Sequence, residues 1–259
     1  PLAPKRPHFA AKAKRVIFLF MTGGVSHVDT FDPKPVLNAK HDEQHRARNF
    51  YKGSGWKFRP YGESGTEVSD LFPHIGSQVD DICMIRSMTN LNGDHFGATI
   101  GVHTGSATFN RPSMGSWISY GLGSENHNLP AFVTISPSTS KGGPRNYGNA
   151  FLPSIHQGTA LGRAGNVNGA KIRNVENAML SDSQRKSRFD LLQNLNAVQS
   201  NRYSHDDELE ATIENYELAW RMQMEAPELT DLSKETKSTK RIYGIDEKDT
   251  DDFGKQCLL

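Results

Sequence analysis

The feature that most constrains this chain is an uninterrupted apolar run, VIFLF, at residues 16–20. Consecutive β-branched and aromatic residues without polar alternation are typical of a strand buried on both faces of a parallel sheet. Two later runs, ICMI at 82–85 and AFVTI at 131–135, have the same character. Helical patterns lie between these runs, at 67–79, 95–103 and 112–120. The alternation predicts an α/β fold, with a mostly parallel sheet and helices on both faces.

Changes in composition divide the chain into five predicted regions. They are a tether rich in Pro, Lys and Ala, the first part of the α/β core, a long loop region rich in Gly and Asn, a helical segment, and a polar linker that leads into a further apolar element. Their predicted bounds are 1–14, 15–135, 136–180, 181–225 and 226–259. Within the helical segment, residues 183–199 and 206–224 each place apolar residues on one face.

The bulk composition excludes several classes of partner. The 30 Lys and Arg residues nearly balance the 29 Asp and Glu residues, which favours neither nucleic acid nor an anionic membrane surface. No apolar run approaches the length of a membrane span. The two cysteines, Cys83 and Cys257, lie among apolar residues, so we expect two buried thiols rather than a disulfide. The sequence leaves the oligomeric state undetermined.

A first polar cluster follows the run at 16–20, after the bend Thr22-Gly23-Gly24. It contains Ser26, His27, Asp29 and Asp32. Ligands of open α/β sheets bind at the carboxyl ends of strands, so Ser26 is a candidate substrate contact. The two carboxylates and the imidazole are candidate ligands of a divalent metal, either calcium or magnesium, or zinc, which also accepts histidine. Alternatively, Asp29 and Asp32 bond to backbone N–H groups of a turn, and their spacing favours neither interpretation.

A second polar cluster ends at Asp94 and His95, where a helix is predicted to begin. Asp94 is its expected cap, and His95 is a candidate nucleophile, general acid or base, or metal ligand beside a helix N-terminus that stabilises anions. Thr104, at the other end of this helix, is a candidate substrate contact. So is Arg111, whose guanidinium can hold two anionic oxygens. The alternatives are an ordinary polar residue at position 95 and, at Arg111, a simple helix start with Trp117 packed in the core.

Several longer runs resemble one bacterial family. They are KRVIFLFMTGGVSHVDTFDPKP at 14–35, DLFPH at 70–74, IRSM at 85–88, RPSMGSWISYGLGSENHNLPAFV at 111–133, FLPSIHQGTAL at 151–161, YELAWRMQMEAPELTDLSKE at 216–235 and QCLL at 256–259. Together they cover most of the chain. They resemble the sulfatase-like family named as domain of unknown function fifteen-oh-one.

The resemblance implies membership of the alkaline-phosphatase and sulfatase superfamily. It also implies export by a twin-arginine signal upstream of Pro1, to the periplasm or outside the cell, and a further stretch beyond Leu259 that completes the fold. In that superfamily a metal-binding Asp follows the first strand, and a Cys or Ser nucleophile begins a helix. These positions fall at Thr22 and near His95, so the chain lacks both residue types there.

Two functions follow from these patterns as open hypotheses. The first is metal-assisted hydrolysis of a sulfate or phosphate ester, on a small molecule or a polysaccharide, with Asp94 and His95 as the catalytic residues. The second is a non-catalytic exported binding or surface protein that keeps the fold but has lost the metal site.

Overall fold

The structure is a computed structural model that describes residues 2–10, 12–21, 24–126, 128–162, 179–202, 212–222 and 230–259. By its internal contacts the chain divides into two compact units. The smaller unit is Val16–Thr89, and the larger unit combines Pro1–Arg15 with Asn90–Leu259. Each unit has buried apolar residues of its own, such as Val68 in the smaller and Ile100 in the larger.

The smaller unit is built from short helices and two β-hairpins. Its helices are α1 (His27–Thr30), α2 (Pro35–Ala39) and α3 (Pro73–Gly76), and its strands are β1 (Gln44–Arg46), β2 (Asn49–Phe50), β3 (Phe58–Tyr61) and β4 (Thr66–Ser69). Strands β1 and β2 pair antiparallel, as do β3 and β4, where Phe58 lies opposite Ser69. The fully buried Val68 and the stacked rings of Phe31 and Phe72, with centroids 5.3 Å apart, form its interior.

Helices form most of the regular secondary structure described in the larger unit. Its elements are α4 (His95–Thr104), α5 (Met114–Leu122), β5 (Val133–Ile135), β6 (Thr159–Leu161), α6 (Asp182–Arg202), α7 (residues 212–222), α8 (Lys237–Ile242) and α9 (Asp251–Leu258). Strands β5 and β6 pair in parallel, with Val133 opposite Thr159 and Ile135 opposite Leu161. Two 3-10 turns, Gly143–Tyr147 and Ser154–His156, lie in the connection between them.

Local capping explains where α4 and α5 begin. The carboxylate of Asp94 accepts the backbone N–H groups of Phe96 and Gly97, both at 2.9 Å. The hydroxyl of Ser113 accepts the N–H of Ser116 at the start of α5. Both side chains satisfy donors that the first turn of a helix leaves unpaired. The predicted helices at 95–103 and 112–120, including the cap at Asp94, are therefore confirmed.

Other sequence predictions are confirmed in part. The strand predicted at 131–135 is present as β5, and the helix predicted at 183–199 is present as α6. The helix predicted at 206–224 is present over 212–222, while residues 203–211 lie outside the described part of the chain. The described residues thus form a mixed α/β structure with short strands, and one of its three two-stranded sheets is parallel.

The strands predicted at 16–20 and 82–85 are wrong. Neither run belongs to a strand, and Ile17, Leu19 and Ile85 are 81%, 79% and 60% exposed. A strand buried on both faces needs paired neighbours and covering helices. Within the described residues no strand pairs with either run. The expected large parallel sheet is therefore replaced there by small sheets.

Two further predictions are corrected because strands there pair with partners elsewhere in the sequence, which the local pattern does not indicate. The helix predicted at 67–79 is β4 followed by α3, because Val68 and its neighbours pair with β3 and Pro73 begins a helix rather than interrupting one. The loop region predicted at 136–180 contains β6 and both 3-10 turns, while residues 163–178 lie outside the described part.

The cysteines are unbridged, as predicted, but both are exposed rather than buried. Cys83 belongs to the smaller unit and Cys257 to the larger. In the part of the chain that the structure describes, no helix combines the length and the apolarity needed to cross a membrane.

Candidate functional site

An open concavity of about 420 Å³ lies in the larger unit, between the end of α4 and the start of α5. The last turn of α4 and its C-cap form one wall, and Pro112 with the first two turns of α5 forms the other. The lining residues are Val102, His103, Thr104, Gly105, Pro112, Met114, Trp117 and Ile118. Gly105 closes α4 at φ 75°, a left-handed conformation that glycine adopts without strain.

The wall of the concavity carries no formal charge. Nδ1 of His103 lies 2.8 Å from the carbonyl oxygen of Thr99, and because a carbonyl only accepts, Nδ1 carries the ring proton. Burial outweighs this hydrogen bond and lowers the pKa of His103, so the imidazole is neutral at pH 7. No Asp, Glu, Lys or Arg is among the lining residues.

The hydroxyl of Thr104 is already engaged by the backbone. It lies 2.8 Å from the carbonyl oxygen of Ile100 and 2.9 Å from that of Ser106, so its single proton is shared between two acceptors. Thr104 does line the concavity, as its prediction as a substrate contact requires. Its contribution there is mainly apolar.

Helix α5 buries its serine hydroxyl groups and presents large side chains such as Trp117 and Met114 outward. Ser116 and Ser119 are buried, whereas Trp117 is 45% exposed and Met114 is 40% exposed. The buried hydroxyls are satisfied: Ser116 donates to the carbonyl oxygen of Gly148 at 3.0 Å, and Ser119 is hydrogen-bonded to Nδ1 of His156 at 2.9 Å. The prediction that Trp117 packs in the core is wrong, because the face of α5 that carries Ser116 and Ser119 packs there instead.

The predicted catalytic residues lie at the opposite end of α4 from the concavity. Asp94 and His95 are both exposed at the N-terminus of this helix, whose ten residues rise by about 15 Å before Gly105. The carboxylate of Asp94 occupies the first N–H groups of α4 as its cap. Arg111 is exposed, with its guanidinium 5.7 Å from the ring centroid of Phe109, and is not among the lining residues.

The polar cluster that follows residues 16–20 lies within the smaller unit. The hydroxyl of Ser26 donates to Asp29 at 2.6 Å, and Lys34 forms an ion pair with Asp32 at 2.7 Å. Hydrogen bonds from Ser26 and then Ser54 lower the pKa of Asp29. A hydrogen bond from Lys34 lowers the pKa of Asp32. Both carboxylates are therefore ionised at neutral pH, and His27 beside them is exposed.

These residues alone do not make a metal centre. Nowhere in the described residues are three or more His, Cys, Asp or Glu side chains grouped so that they can hold a metal ion. The charge of Asp32 is neutralised by Lys34 rather than left for a cation. Thr22 and Gly23, which precede the cluster, lie outside the described residues. The metal role of His27, Asp29 and Asp32 stays a prediction.

Sequence reasoning missed His103, Met114 and Ile118 as parts of one site. The signal was present in SMGSWISYGL, where Ser113, Ser116 and Ser119 recur at helical spacing. A helix whose small polar residues share one face can bury that face if each hydroxyl finds a hydrogen-bond partner. The opposite face, with the large side chains, is then exposed.

Comparison with known proteins identifies one family and assigns no activity to it. The sequence model of a family described as "Protein of unknown function (DUF1501)" matches residues 13–259. No curated protein and no solved structure matches the chain.

Proposed function

Since the chain belongs to this family, whose description assigns no function, we propose from its own geometry that it is a binding protein for a small, uncharged, mainly apolar molecule. The observation that carries the proposal is the concavity between α4 and α5. Its volume of about 420 Å³ is within the range of small-molecule sites. The export that the family resemblance implies supports a site of binding outside the cytoplasm.

The uncharged wall supports a neutral ligand. A sulfate or phosphate group seated there would lose water and meet no Lys, Arg or charged His among the lining residues. Even partial loss of an anion's hydration is unfavourable when no charge compensates for it. Apolar groups pay no such cost, and they gain from covering Met114, Trp117 and Ile118.

Trp117 supports an aromatic ligand in particular. It is about half exposed at the concavity, and its ring already makes edge contacts with Tyr120 and Phe151, at centroid distances of 6.0 and 5.8 Å. A flat aromatic molecule can extend this set of rings, and aromatic pairs contribute about 0.5–1.5 kcal/mol beyond the area that they bury.

Binding is tested with 2-naphthol as the neutral probe. The chain has three tryptophans, so replacing Trp56 and Trp220 by Phe leaves Trp117 as the single fluorophore. We expect 2-naphthol to change the emission of Trp117 saturably. We expect Trp117→Ala to weaken binding by roughly tenfold or more, measured by calorimetry.

Trp56→Ala, at a similarly exposed tryptophan of the smaller unit, is the matched control. Failure of 2-naphthol to bind, or equal losses in the two variants, would overturn the proposal.

A second candidate function is hydrolysis of a sulfate or phosphate ester outside the cytoplasm, assisted by a divalent metal. It is favoured by two ionised carboxylates three positions apart in the sequence, Asp29 within α1 and Asp32 just after it. Membership of the sulfatase and alkaline-phosphatase superfamily, which the family resemblance implies, supports the same reaction. Among the described residues, these carboxylates are not joined by enough further ligands to hold the metal ion that this reaction needs.

Sulfate and phosphate esters of 2-naphthol distinguish the binding function from the hydrolase function. We expect 2-naphthyl sulfate and 2-naphthyl phosphate to bind more weakly than 2-naphthol and to remain intact with calcium, magnesium or zinc. Release of 2-naphthol that depends on metal, and that is lost in Asp29→Asn and His95→Ala but kept in His45→Ala, would establish the hydrolase instead.

A further inference from the structure

Lys5 binds the C-terminal end of α5. Its backbone N–H donates to the carbonyl oxygen of Leu122 at 2.8 Å, and its ammonium donates to that of Tyr120 at 2.7 Å. The ammonium also lies 4.7 Å from the centroid of the Tyr120 ring. Three separate interactions of one side chain and its backbone therefore converge on the last turn of this helix.

A second hydrogen bond ties down the residues before Lys5. The backbone N–H of Ser124 donates to the carbonyl oxygen of Leu2 at 2.7 Å. Gly123, between the two contact points, has φ 72°, and a Cβ atom there would overlap the carbonyl oxygen of Ala3. The close approach of the two backbones thus depends on glycine at position 123.

These contacts complete the end of α5. The last four carbonyl groups of a helix have no partner within it, and the C-terminus carries a partial negative charge. Residues 2–5 supply two donors to these carbonyls and a cation beside them. They act as a C-cap that comes from a distant part of the sequence.

We propose that residues 2–5 form a strap that holds the C-terminal turn of α5, and that the strap is coupled to the concavity because α5 carries Trp117 and Ile118. A bound strap keeps these side chains in place, and a ligand that orders α5 favours the bound strap. The coupling, but not the strap itself, rests on the proposed function.

The amide proton of Ser124 reports on the strap directly, since its acceptor is Leu2. In the full chain we expect Lys5→Met to speed hydrogen exchange at Ser124 by roughly tenfold or more, measured by NMR. Lys5→Arg is expected to restore protection in part, because the guanidinium keeps the charge and the donors. Lys12→Met is the matched control, at an exposed lysine of the same N-terminal segment. Unprotected Ser124 in the unsubstituted chain, or equal exchange in Lys5→Met and Lys12→Met, would overturn the strap.

The coupling has its own readout. We expect saturating 2-naphthol to slow exchange at Ser124, and Lys5→Met to weaken 2-naphthol binding severalfold while Lys12→Met does not. Exchange at Ser124 that responds to Lys5→Met but not to a bound ligand would keep the strap and remove the coupling. If 2-naphthol does not bind the unsubstituted chain, the proposed function and the coupling fail together, and exchange at Ser124 still decides the strap.

Discussion

The hydroxyl oxygen of Ser119 lies 2.9 Å from Nδ1 of His156, and both residues are only 2% exposed. Polar groups removed from water in this way cost free energy unless they satisfy one another. The contact joins α5 to the 3-10 turn Ser154–His156, and the ring of Tyr120 meets the same imidazole edge-on, with centroids 5.4 Å apart. The pair therefore fixes the helix that carries Trp117.

Removing the Ser119 hydroxyl should destabilise the larger unit. Ser119→Ala leaves a buried nitrogen of His156 without this partner, and we expect the free energy of unfolding in urea to fall by about 1–3 kcal/mol. Ser187→Ala, on the exposed face of α6, is the control and should change it by less than about 0.5 kcal/mol. Equal effects of the two substitutions would show that the buried pair is not a significant contact.

Stability should fall as the pH falls below neutrality. Burial, and then the nearby charge of Lys5, lowers the pKa of His156, and burial lowers that of His103. The unfolded chain, with ordinary histidines, takes up protons first, so this stability is present above about pH 6.5 and is lost as the pH falls through the lowered values. Urea midpoints measured between about pH 8 and pH 5 test the trend. His156→Gln should flatten it, and midpoints that rise on acidification would contradict it.

The interior around α4 should be sensitive to loss of volume. Ile100 is completely buried, so Ile100→Ala should lower the free energy of unfolding by about 2–5 kcal/mol. Ile242→Ala makes the same chemical change at a side chain that is 80% exposed, and should cost less than about 0.5 kcal/mol. Similar thermal shifts for the two variants would mean that Ile100 is not in the core of the folded chain.

Substitutions at Asp94 separate capping from catalysis. Asp94→Ala removes the acceptor of two backbone N–H groups and should cost about 1 kcal/mol, whereas Asp94→Asn keeps an acceptor and should cost little. Thermal denaturation measures both. If Asp94→Asn keeps this stability and also abolishes ester hydrolysis, the carboxylate has a catalytic role that its hydrogen bonds do not reveal.

Elements defined by neighbouring residues could be predicted from the sequence, and those defined by distant partners could not. Asp94 and Ser113 cap helices through N–H groups only two or three residues away, so α4 could be predicted with its cap and α5 to within two residues of its start. The run at 16–20 shows which environment its side chains prefer, but not whether partner strands surround it. Strand β6 lies in a polar region and exists through pairing with β5, which no local pattern indicates.

The candidate site follows the same division. Thr104 was predicted as a substrate contact and does line the concavity, but its neighbours His103 and Trp117 were not assigned to it. Whether Trp117 lines the concavity or lies in the core is decided by the orientation of α5. It depends on hydrogen-bond partners at Gly148 and His156, far along the chain, that allow a face of serines to be buried.

The two exposed thiols have a practical consequence. Cys83 and Cys257 are the only cysteines in the sequence, and they belong to different units. Spin labels attached to the unsubstituted protein would therefore place one probe on each unit. Pulsed dipolar spectroscopy of that doubly labelled sample gives the distribution of distances between them, and adding 2-naphthol shows whether occupancy narrows it.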